Sequence, residues 1–109
     1  MGVLFSWRQR APRAPQAALP RTDEDVRQLL SLLPRYRVLL YNDDVHDMEY
    51  VVQALLHTIP TLSEGEAMRV MLGAHLNGVS EVLVCPKELA EHYRDRLAGY
   101  GLGCDIEPA

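Results

Sequence analysis

Between Asn42 and Asp47 the chain reads N-D-D-V-H-D, so one amide, three carboxylates and one imidazole fall within six residues. Downstream, His75 sits in A-M-R-V-M-L-G-A-H-L, an almost wholly apolar segment. A carboxylate, an amide oxygen and an imidazole brought to one point make a socket for an ammonium group. An α-amino group offers three N–H donors and a positive charge. Each charge-assisted hydrogen bond to it contributes roughly 1.5–3 kcal/mol. That is enough to make a free amine a strict requirement. Asn42, Asp43 and His75 are the candidate acceptors, with Asp44 and His46 in the same loop. Met48, Val51, Met71 and Ala74 lie beside them at helical spacing and supply a candidate apolar pocket. Filling such a pocket with a Leu or Phe side chain adds roughly 1.5–3 kcal/mol.

Plainer readings of the same residues stand alongside. Asp47 is a natural helix cap, Asn42 and Asp43 fit a solvated turn, and a Met stripe usually belongs to a core. His75 alone fits a satisfied core residue or a helix end. A metal reading draws on Asp43, Asp44, His46 and Asp47, which offer hard oxygens and one imidazole. Their spacing lacks the alternation and glycine of a calcium loop, and no H-E-x-x-H is present. Ser63 and Ser80 have no G-x-S-x-G context, so no catalytic residue is assigned. Cys85 and Cys104 form no C-x-x-C and read as small apolar residues in a reducing compartment.

The elements that must position these groups follow from periodicity. Arg37–Tyr41 (R-V-L-L-Y) is a strand. Met48–Ile59 is a helix with Val51, Val52, Leu55, Leu56 and Ile59 on one face, stopped by Pro60. Ser63 and Glu66 make a capping box for a helix running to Asn77, with Gly78 as its C-terminal cap. Val79–Val84 is a second strand. Pro86 opens a helix with Leu89, Tyr93 and Leu97 inward. The glycines at 99, 101 and 103 end it before a last strand, Cys104–Glu107. Ahead of these, Thr22 caps a short helix to Leu33 that ends at Pro34.

At 109 residues the chain is one domain at most. Residues 1–21 carry four Arg and no acid, whereas the remainder carries 7 basic and 15 acidic residues. The Pro-, Ala- and Arg-rich start reads as a disordered tail, giving residues 1–34 as tail and 35–109 as core. The acidic remainder argues against generic nucleic-acid binding and favours cationic partners. There is no membrane span, and Met1–Phe5 is too short for a signal peptide's apolar stretch. M-G-V-L-F-S fits the loose myristoylation pattern at Gly2.

The run V-L-L-Y-N-D-D-V-H-D-M-E-Y-V-V, then M-L-G-A-H-L-N-G, then the helix carrying Glu88, closely resembles the ClpS adaptor family over roughly Arg35–Glu107. The resemblance implies an α+β domain of order βααβαβ, three antiparallel strands with three helices. It implies a non-enzymatic, cofactor-free adaptor that is cytoplasmic and binds N-degrons, proteins with a bulky hydrophobic first residue and a free α-amine. Such adaptors hand cargo to the N-terminal domain of the Clp AAA+ unfoldase for proteolysis. By motif match, Asn42, Asp43 and His75 hold the amine. Met48 gates a pocket lined by Val51, Met71, Ala74 and Leu102, and Glu88 contacts the unfoldase. Where many members have a small hydroxyl residue and then Pro, this chain has His46 and Asp47. Ala74 replaces a common Val, and Tyr93 a common Lys. No nucleic acid, membrane or metal is implied, and a monomer is the default. The alternatives are an unfoldase-binding regulator that carries no cargo, a plain interaction domain of the same fold, and a metal-binding module.

Overall fold

The computed structural model describes residues 21–109; the expected tail up to residue 20, with its Gly2 pattern, lies outside the described residues. Helix α1, Asp23–Ser31, is capped by the Thr22 side chain, which accepts from the Asp25 N–H. Three acids in its first turn suit the helix dipole. It belongs to a unit that ends at Leu32.

Residues 33–109 form the second compact unit. In chain order its elements are β1 (Arg35–Tyr41), α2 (Met48–Thr58), α3 (Glu64–Asn77), β2 (Val79–Pro86), α4 (Lys87–Gly99) and β3 (Cys104–Pro108). This is the βααβαβ order expected from the sequence. The strands run two residues longer at one end of β1 and β2 than the apolar pattern indicated, because Arg35↔Pro86 and Tyr36↔Cys85 continue the ladder.

The sheet order is β2-β1-β3, with both pairings antiparallel. Alternation along β1 buries Val38 and Leu40 completely. On the other face Arg37 reaches Glu81 at 3.8 Å and Glu107 at 3.5 Å, a cross-strand pair of ion contacts from a half-buried guanidinium. The β1–β2 register slips between Val38 and Leu39, so Val82 bulges into the core.

Helix α3 packs on β2 and β1, α2 on α3, and α4 on all three strands. Leu55, Ile59, Ala67, Ala90 and Leu97 are fully buried between them. Three of the helix ends have a visible cause. Asp47 caps α2 by accepting from the Tyr50 N–H. Ser63 and Glu66 complete the capping box of α3. Gly78 closes α3 at φ +89°, where a side chain is disfavoured. On α4 the buried face is Ala90, Tyr93 and Leu97, while Leu89 stays 40% exposed. The expected inward Leu89 is thus displaced by the smaller Ala90, which lies on the same stripe one position round.

Candidate functional site

The site begins where β1 runs out. The Asn42 N–H donates to the Gly78 carbonyl at 2.9 Å, tying the strand's exit to the end of α3. Asp43 then folds the next residues around itself. Its Oδ1 accepts from the N–H of Val45 and of His46, both at 2.8 Å. Its Oδ2 lies 2.6 Å from His46 Nδ1. Donation first from the His46 backbone and then from its ring holds the Asp43 carboxyl below the usual carboxylate range. Asp43 is therefore ionised at neutral pH, and its Oδ2 is an acceptor toward the ring nitrogen that faces it.

Asn42 Nδ2 donates to Asp44 Oδ1 at 3.1 Å, which leaves Asn42 Oδ1 as the open acceptor of that amide. Asp47 accepts from the Tyr50 N–H at 2.8 Å. All four groups weighed as metal ligands thus have local partners. Among the described residues, no three His, Cys, Asp or Glu side chains gather as a metal site.

Asn42, Asp43 and His46 rim a small cleft, partly open to solvent, at the end of β1. His75, in the last turn of α3, stands on the rim as well and is exposed. Met48 sits at the mouth, 45% exposed. Leu40, Val51, Met71 and Ala74 form a buried floor. Polar acceptors thus stand over an apolar cavity, the arrangement suited to a ligand with a charged head and a bulky side chain. Leu40 and Tyr41 also line the cleft, though sequence reasoning left them out. The alternation of β1 carried the signal for Leu40, which shares the buried face with Val38.

One expected pocket residue, Leu102, lies outside the cleft, and Asp44 belongs to the loop as expected. The Leu102 N–H donates to the Leu97 carbonyl and the side chain is buried in the core, 4% exposed. Asp44 faces Asn42 and water rather than the cavity. Glu88 lies exposed in the first turn of α4, apart from the cleft lining. Tyr93 is a core residue, so that position offers no docking side chain. Burial raises both cysteine thiols above their ordinary range. Cys85 is buried and Cys104 donates to the Arg94 carbonyl, so both act as packing groups rather than nucleophiles.

Residues 32–105 match the family described as ATP-dependent Clp protease adaptor protein ClpS. The ATP-dependent Clp protease adapter protein ClpS of Synechococcus elongatus is 48% identical over 77 residues, covering 71% of this chain and 81% of that one. The chloroplastic adapter CLPS1 of Arabidopsis thaliana is 40% identical over 84 residues, covering 77% of this chain and 53% of that one. The structure of Agrobacterium tumefaciens ClpS2 bound to L-phenylalaninamide is similar, with 33% identity and a TM-score of 0.62 over 70% of this chain and 98% of that chain. The match extends through the strand, the acidic loop and the helices that build the cleft, and the chain belongs to the ClpS family of Clp protease adaptors.

Proposed function

We propose that this adaptor reads N-degrons: the cleft takes the first residue of a cargo protein, bulky and hydrophobic, and the rim holds its free α-amine. The observation that carries this reading is the rim itself. An ionised, oriented Asp43, the open Asn42 Oδ1 and the His75 ring border one apolar cavity. An ammonium there satisfies three donors while its side chain leaves water. Support comes from the Agrobacterium relative, whose ligand L-phenylalaninamide joins an amine to a benzyl side chain.

On this reading Met48 gates the mouth and Ala74 leaves room for aromatic side chains. Cargo passes to the N-terminal domain of the Clp AAA+ unfoldase through a surface that includes Glu88, and residues 1–34 engage the unfoldase as a tail. The adaptor works as a cytoplasmic monomer without catalytic residues. No helix among the described residues is long and apolar enough to cross a membrane.

The test is fluorescence anisotropy with peptides identical except for the first residue: Leu, Phe, Tyr, Trp, Ile, Ala and N-acetyl-Phe. Bulky free-amine peptides are expected to bind. Acetylation, Asp43→Ala and His75→Ala should each cost about tenfold or more. Well-folded protein that binds no peptide, yet binds the unfoldase, would favour a regulator without cargo and refute the degron reading.

A further inference from the structure

His46 is held on three sides. Its Nδ1 meets Asp43 Oδ2 at 2.6 Å. Its face stacks on Tyr50, with ring centroids 4.6 Å apart and planes at 12°. Its Cε1–Nε2 edge abuts Gly101 so closely that a Cβ there would stand 3.1 Å from Cε1 and 3.3 Å from Nε2. Tyr50 is itself anchored, because its hydroxyl donates to the Tyr100 carbonyl at 2.6 Å. The side chains of Asp43 and His46 are 12% and 28% exposed, so neither is a solvated loop group.

We propose that His46 is a positioning residue of the amine socket, orienting the Asp43 carboxylate and locking the loop to the turn between α4 and β3. The proposal rests on reading the cleft as that socket. Asp43 Oδ1 is occupied by two backbone donors, so Oδ2 is the oxygen with capacity left for a ligand. A carboxylate left to rotate must be ordered when the amine arrives, at a cost in affinity. The imidazole does that ordering beforehand. The stack on Tyr50 and the contact with Gly101 keep the imidazole from swinging away. The Tyr50–Tyr100 hydrogen bond carries the restraint across to the far turn.

Two parts of this arrangement separate by substitution. His46→Asn keeps a short N–H donor for Asp43 and loses the ring. His46→Phe keeps the ring on Tyr50 and loses the donor. His46→Ala loses both. For a Phe-starting peptide, the Phe and Ala variants should bind roughly tenfold more weakly, and the Asn variant should recover to within about threefold of wild type. Wild-type protein is tested beside them with the same peptide and its N-acetyl form. A wild type that does not distinguish the two overturns the socket reading and this proposal together. A wild type that distinguishes them, with a Phe variant equal to it, overturns the role of His46 alone. A second readout needs no variant. Ring 15N shifts of wild-type His46 should report a protonated Nδ1, and amide exchange at Val45 and His46 should be slow. An Nε2-protonated ring with unprotected amides would overturn the proposal even if every variant misfolds.

Discussion

Replacing Gly101 by Ala should be costly for two independent reasons that the structure separates. Gly101 sits at φ +84°, left-handed backbone that costs an L-residue roughly 1–2 kcal/mol. The new methyl would also press on the His46 ring at 3.1 Å. That ring is pinned by Asp43 and Tyr50, so it yields poorly, and overpacking of this kind adds roughly 1–3 kcal/mol. Two positions on, Gly103 is the natural control. A Cβ there would meet Tyr41 at 3.6 Å, an ordinary contact, and the backbone is not left-handed. Gly103→Ala should be neutral or stabilise by about 0.4–1 kcal/mol through the unfolded chain. Thermal melts followed by circular dichroism should therefore put Gly101→Ala roughly 10 °C or more below Gly103→Ala. Repeating Gly101→Ala in a His46→Ala background removes the contact and leaves the strain. The double-mutant cycle should then show a coupling of about 1 kcal/mol or more. Equal melting of the two glycine variants would refute the whole argument, and zero coupling would refute the contact with His46.

Ala74 is a buried floor residue of the cleft, and Ala74→Leu places new atoms where the ligand's side chain would go. Peptides starting with Phe should lose about tenfold in anisotropy titrations; undiminished binding would mean the side chain goes elsewhere. The lowered Asp43 pKa gives a pH prediction with a definite sign. A carboxyl that ionises more readily when folded stabilises the protein above its unfolded pKa, and the effect is lost as pH falls through the folded one. Melting should hardly respond to Asp43 from about pH 5 to 8, then fall at lower pH more steeply in wild type than in Asp43→Asn. Matching acid limbs would show that Asp43 is not the group responsible. Ser63→Ala removes the capping-box hydroxyl of α3 and should cost about 1 kcal/mol without altering peptide affinity.

The elements were legible where local chemistry decides them. Thr22, Asp47, Ser63 and Gly78 each announce a helix end, and all four act there. Asn42, Asp43, His75, Met48, Val51, Met71 and Ala74 could be nominated because a polar cluster and an apolar face share one loop and two helices. What stayed hidden depends on contacts across the chain. Choosing between turn and socket for Asp43 was not necessary, since Oδ1 makes the turn and Oδ2 keeps capacity beyond it. The Tyr50–Tyr100 bond joins residues fifty apart and no local pattern encodes it. Leu102 goes to the core because the turn after α4 folds its N–H back onto Leu97. The helical period alone does not distinguish Leu89 from Ala90, and it is Ala90 that is buried with Tyr93 and Leu97.

The central place of β1 also sets an order of events during synthesis. β1 leaves the ribosome before the other two strands, yet it lies between them, with Val38 opposite Leu83 on one side and Ile106 on the other. The acidic loop that follows it likewise waits for Tyr100 and Gly101 before Tyr50 and His46 find their supports. A nascent chain exposing Asn42 and Asp43 has one open strand edge and no anchored loop until β3 emerges. Long-range pairing of this kind forms late and slowly. The rim of the cleft is therefore without its long-range supports until β3 has docked, and the loop takes its final form only when the chain is nearly complete.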